Sequence, residues 1–114
     1  MALKPRLYRD FIRGPLPLGW FQEAFKISPT ACAIGLILWR RVYREKKLGL
    51  EGELRVSRPM NLTNQTCQEW GISLSSKSRA LKKMAEDELV WLERHKGTSP
   101  KVQIVDNDLE WQET

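Results

Sequence analysis

At 114 residues, with 41% hydrophobic and 29% charged residues, the chain has the composition of one folded domain with a modest core. A formal net charge of +5 and a pI of about 9.5 favour an anionic partner such as nucleic acid or a membrane surface. Cys32 and Cys67 lie far apart and match no metal or redox spacing, so they read as reduced packing residues of a cytoplasmic protein.

No apolar run follows Met1-Ala-Leu-Lys-Pro-Arg6, so no secretory signal is expected. Residues 1–14 set Lys4, Arg6, Arg9 and Arg13 against one acid, Asp10, with Leu7, Tyr8, Phe11 and Ile12 interleaved. They read as a basic N-terminal arm that either packs on the body or touches phosphate or a dimer partner. Gly14-Pro-Leu-Pro17 stops any helix. From Leu18 to Ile27, Trp20, Phe21, Ala24 and Phe25 predict a short helix with one buried face. Ser28-Pro29 then restarts the chain: serine accepts from the free N–H groups of a helix start, and proline suits the first helical position. The next helix is expected from Pro29 to about Lys47, with Gly49 as its stop. Its apolar run, Ala31 to Trp39, is far short of the roughly 20 residues of a membrane span. A helix apolar on every side is buried all round, by its own chain or in a homodimer. Its end, Arg40-Arg-Val-Tyr-Arg-Glu-Lys-Lys47, reads first as cations favouring a helix C-terminus and second as phosphate binding.

A short strand is expected around Leu54 to Ser57, with Pro59 restricting it to a sheet edge. Thr63 caps a short helix from Asn64 to Trp70, and Gly71 ends it. Ser73 caps the next helix, which runs to about Asp87. Leu74, Leu81, Met84 and Ala85 share one of its faces, and Ser75, Ser76, Arg79, Lys82 and Lys83 share the opposite one. Glu86, Asp87 and Glu88 close it, which keeps that end away from phosphate. Leu89-Val-Trp-Leu-Glu-Arg94 and Lys101-Val-Gln-Ile-Val-Asp106 read as antiparallel strands around the turn His95-Lys-Gly-Thr-Ser-Pro100. Residues 107–114, with Leu109 and Trp111 among Asp108, Glu110 and Glu113, form an acidic tail.

Two helices joined at Trp70-Gly71-Ile72-Ser73 make a helix-turn-helix, and the hairpin after it makes a wing. Gly71-Ile-Ser73, the helix Arg79-Ala-Leu-x2-Met84 and Glu88-Leu-Val-Trp-Leu-Glu-Arg94 resemble winged-helix proteins of the MarR-like bacterial regulator type. Gly14-Pro-Leu-Pro-Leu-Gly-Trp20 and the Pro29 helix are similar to a set of small bacterial winged-helix proteins. The resemblance covers roughly residues 14 to 106. It implies an α+β winged helix-turn-helix domain over residues 15–106, mostly helical with a small antiparallel sheet. Three positions depart from the family pattern. Glu88 stands where glycine is usual, Lys77 stands where an apolar residue is common, and Ser75 and Ser76 are small for reading bases.

The expected function is binding of double-stranded DNA, as a bacterial transcriptional regulator or an accessory protein of a plasmid, phage or defence locus. The candidate contacts are Ser75, Ser76, Arg79, Lys82 and Lys83 on the helix of residues 74–87. On the wing they are Arg94, His95, Lys96, Thr98, Ser99 and Lys101. Arg79 can bind guanine bidentately or clamp a phosphate, while the lysines suit phosphate. The alternative is a winged helix used as a protein-interaction module inside a larger nucleoprotein complex, since the fold alone does not separate the two. No metal or other cofactor is expected, because the single histidine, His95, has no partner ligands at metal spacing. No nucleophile and base stand together and no Gly-rich phosphate loop is present, so no enzymatic activity is expected. The five tryptophans, Trp20, Trp39, Trp70, Trp91 and Trp111, are expected mostly as core anchors.

Overall fold

The computed structural model describes residues 15–46, 48–51, 54–94 and 97–106. The arm (1–14), the tail (107–114), His95 and Lys96 lie outside the described residues. Among those described, four helices and five short antiparallel strands form an α+β fold, with more residues in helix than in strand.

Ser28 ends one helix and begins the next. The first, α1, spans Leu18–Ile27, and the N–H of Ser28 closes it on the Ala24 carbonyl at 3.2 Å. The second, α2, spans Pro29–Glu45, and the Ser28 hydroxyl accepts from the Ala31 N–H at 3.1 Å, with Pro29 in the first turn. Within α2, Ala31, Ile34, Ile37, Leu38, Trp39 and Val42 are all buried against the rest of the same chain. Of the two ways expected to bury this apolar surface, cover by its own chain is the one observed.

Gly49 does not stop α2. Lys46 does, by taking a left-handed conformation (φ 51°, ψ 50°) that turns its N–H back to the Val42 carbonyl. Gly49 lies instead in a strand, β1, Leu48–Glu51. It pairs with β2, Leu54–Ser57, and β2 pairs in turn with β5, Lys101–Asp106. The strand around Leu54 is thus not the edge it was expected to be. Pro59 acts one step later. Val56 faces Val105 and Met60 faces Val102, so Ser57, Arg58 and Pro59 oppose only Gln103 and Ile104. This is a bulge, a place where a missing N–H costs no ladder bond. Ser57 fastens it: its hydroxyl accepts from the Ile104 N–H at 2.8 Å, and its carbonyl accepts from the Gln103 side chain at 3.1 Å. The chain continues as β3, Met60–Asn61, on the same side of β5. The other side of β5 takes β4, Val90–Glu93, in the register Val90↔Ile104 to Glu93↔Lys101. β5 is therefore the centre of the sheet.

Trp20 ties the helices to the sheet. Its buried indole N–H donates to both the Leu89 carbonyl (3.1 Å) and the Val105 carbonyl (3.0 Å). Its ring meets Phe21 and Trp39 edge-on, at centroid distances of 5.1 and 5.9 Å. Trp39 is buried as well, but Trp70 and Trp91 are exposed, so only two of the four described tryptophans anchor the core.

The last two helices are α3, Asn64–Glu69, and α4, Leu74–Glu86. Thr63 and Ser73 cap them as expected, accepting from the Thr66 and Ser76 N–H groups at 3.2 and 3.3 Å. Ala80, Leu81 and Met84 bury the inner face of α4. Leu74 does not join them. At the first helical position it lies beyond the reach of the core and is 51% exposed.

Glu88 occupies the C-terminal stop of α4. The Leu89 N–H returns to the Met84 carbonyl (2.9 Å) and the Glu88 N–H to the Ala85 carbonyl (3.1 Å). This pair of bonds requires a left-handed residue between them, and Glu88 has φ 60°. Glycine adopts that conformation without a Cβ clash, so Glu88→Gly should raise stability by about 1 kcal/mol. The corresponding rise in thermal midpoint is about 4 °C. An unchanged or lowered midpoint in a thermal melt would contradict this.

Candidate nucleic-acid interface

The turn between α3 and α4 is set by backbone bonds at both ends. Gly71 (φ 76°) donates to the Gln68 carbonyl at 2.9 Å, and Ile72 donates to the Cys67 carbonyl at 2.8 Å. Ile72 and Cys67 are both buried, so the turn is pinned from inside. Ser73 then starts α4 at once, its hydroxyl donating to the Ser76 hydroxyl (3.0 Å) as well as accepting from the Ser76 N–H.

Two cations hold α4 in place. Lys77 is only 5% exposed, rare for a lysine. Its Nζ donates to the Leu62 carbonyl (2.6 Å) and to Asn64 Oδ1 (2.8 Å), tying the first turns of α4 to the start of α3. Burial pushes its pKa below the ordinary lysine value. Burial likewise pushes the Cys67 thiol up, with the nearby Lys77 charge opposing it, so Cys67 is a packed thiol. On the other flank, Arg94 Nη1 donates to the Ser78 hydroxyl and Nη2 to the Ser78 carbonyl, both at 3.3 Å. Arg94, expected as a DNA contact of the wing, thus reaches from the end of β4 to α4 and links the two.

The outward face of α4 carries Ser75, Arg79 and Lys82, all exposed. Arg79 makes a long contact to the Ser75 carbonyl (3.4 Å), one turn back on the same helix. Lys83 pairs with Glu86 at 3.7 Å across an exposed turn, an interaction of small weight. Ser76 is half-buried and differs from its neighbours. With Arg79 and Lys83 it lines an open groove of about 530 Å3, whose other wall is Ile27, Ser28 and Thr30 at the α1–α2 junction.

The hairpin between β4 and β5 brings Thr98, Ser99 and Lys101 to a second groove of about 470 Å3, shared with Asn61 and Thr63. Lys101 stands directly across the ladder from Glu93, which offsets its charge. The expected sites thus group as Ser75, Ser76, Arg79, Lys82 and Lys83 on α4, and Thr98, Ser99 and Lys101 on the hairpin, with Arg94 bracing the two. Three residues at this face were missed from the sequence: Lys77 as a clamp, Leu74 as an exposed apolar residue, and Thr63 as a groove residue. Leu74 had a readable signal, since it directly follows a capping serine in the first turn of a helix after a turn, where recognition helices touch bases.

No protein-family model, no curated protein and no solved structure matches the chain. Among the described residues, no helix is long and apolar enough to cross a membrane, and no group of three or more His, Cys, Asp or Glu could hold a metal ion.

Proposed function

We propose that the chain is a winged helix-turn-helix protein that binds duplex DNA. In this reading α4 enters the major groove and the β4–β5 hairpin acts as the wing along the neighbouring backbone. The observation that carries it is how α4 is held. Lys77 fixes it on one flank and Arg94 on the other, and the face between them, with Ser75, Arg79 and Lys82, is left open. A polar, cationic helix face held rigidly beside a hairpin suits a groove with phosphates on both sides. The biological setting that fits is a bacterial regulator or an accessory protein of a mobile or defence locus.

Salt dependence of binding to random duplex tests the reading. If about five or six cations meet phosphates, log affinity should fall with log salt at a slope near −5, from roughly 0.9 per contact. A slope near zero, or no binding at low salt, would refute it.

One observation favours the second reading, a protein-interaction module in a nucleoprotein complex. Leu18 (72% exposed) and Phe25 (65% exposed) stand seven residues apart on α1, on one outward stripe. A chain that fails the salt titration, and whose association with other protein is lost in Leu18→Ser/Phe25→Ser, follows that second reading.

A further inference from the structure

The arginines at the end of α2 favour the helix dipole, but that preference does not explain where they stand. Arg40, Arg41 and Arg44 form one wall of a groove of about 430 Å3, and Asn61, Thr63 and Thr66 stand across from them. Arg41 Nη1 donates to the Asn61 carbonyl at 2.6 Å, which fixes that guanidinium against the end of β3. Asn61 and Thr63 also line the hairpin groove that holds Thr98, Ser99 and Lys101. The two grooves therefore adjoin at Asn61 and Thr63, and together they make a track along this face. It has Lys101 at one end, arginines at the other, and amide and hydroxyl groups between.

We propose that this track carries one phosphate strand of the duplex from the hairpin, across Asn61 and Thr63, to Arg40 and Arg44, making α2 a third DNA-contacting element. Guanidinium groups suit phosphate by their forked donors, and hydroxyl and amide side chains are common phosphate ligands. Glu45 and Glu69 also line this groove, two carboxylates against its three arginines, so the anion is held by the guanidinium groups and not by the groove as a whole. The assignment rests on the DNA reading above and adds a contact that neither α4 nor the hairpin provides.

The test is anisotropy of a labelled random duplex, titrated at several KCl concentrations. It compares the wild type, Arg40→Gln/Arg44→Gln, and a control that loses the same charge outside either groove, Lys26→Gln/Arg58→Gln. The track variant should flatten the salt slope by about 2, from roughly 0.9 per lost contact, and the control should not. Should the double variant unfold, Arg44→Gln alone, at an exposed side chain, should flatten it by about 1. A wild type that binds with a steep slope retained in the track variant overturns this inference and leaves the DNA reading standing. Equal losses in track variant and control also overturn it, since charge alone then explains the effect. A wild type with no salt-dependent binding overturns both.

Discussion

Gly35→Ala should destabilise the protein by about 2–4 kcal/mol, although alanine is the better helix former by about 1 kcal/mol. Gly35 sits in the middle of α2, and a Cβ there would lie 2.5 Å from Cζ3 of Trp20 and 3.1 Å from Cε1 of Phe21. Real side chains do not approach so closely, so the indole must move. It has no free direction, because its N–H serves two buried carbonyls and its ring is wedged between Phe21 and Trp39. Overpacking and the strained or lost hydrogen bonds act in the same direction and exceed the gain in propensity. Denaturant unfolding of Gly35→Ala measures the sum. A gain of about 1 kcal/mol would mean that propensity alone governs the site.

Lys77 gives the second large effect. Truncation to alanine removes a buried side chain and leaves the Leu62 carbonyl without its donor, so Lys77→Ala should cost about 3 kcal/mol. Lys77→Met keeps the volume and loses only the donors, so its cost should be about half as large. Equal losses in the two variants would place the whole effect in the hydrogen bonds. The wild type also carries a pH signature. Its folded-state pKa lies below the ordinary lysine value because the charged form is desolvated. Below that lowered pKa both states are protonated and the folded state bears the full desolvation cost. As pH rises through the lowered pKa toward 10.5, the folded state releases its proton first and stability increases. Lys77→Met should lack this alkaline increment, and its presence in the variant would assign it to another group.

The parts of the fold that were legible in the sequence are the ones decided within a few residues. Ser28, Thr63 and Ser73 cap the helices because a hydroxyl reaches the third N–H ahead whatever the rest of the chain does. Gly71 closes α3 for a similarly local reason. What was missed depends on distant partners. Lys46, not Gly49, turns left-handed, and Gly49 is drawn into β1 by pairing with Val56. Arg94 looks like a free wing cation until Ser78, sixteen residues earlier, is seen beside it. Lys77 could be placed on the inner margin of α4 by the helical wheel, but the acceptors that make its burial tolerable come from residues 62 and 64. The continuity of Asn61 and Thr63 between two grooves has no signal in one dimension.

The central position of β5 bears on how the chain acquires its shape. β2, β3 and β4 all pair with β5, and Trp20 bonds across 85 residues to a carbonyl on it. During synthesis, the helices can form as soon as they leave the ribosome, but the sheet has no middle until residues 101–106 follow. Three strands must wait with open edges, and the indole of Trp20 waits with half of its acceptors missing. Long-range closure of this kind is slow relative to helix formation, and unpaired strands are sites of mispairing. The interval before β5 arrives is therefore when the nascent chain is most exposed to aggregation and proteolysis.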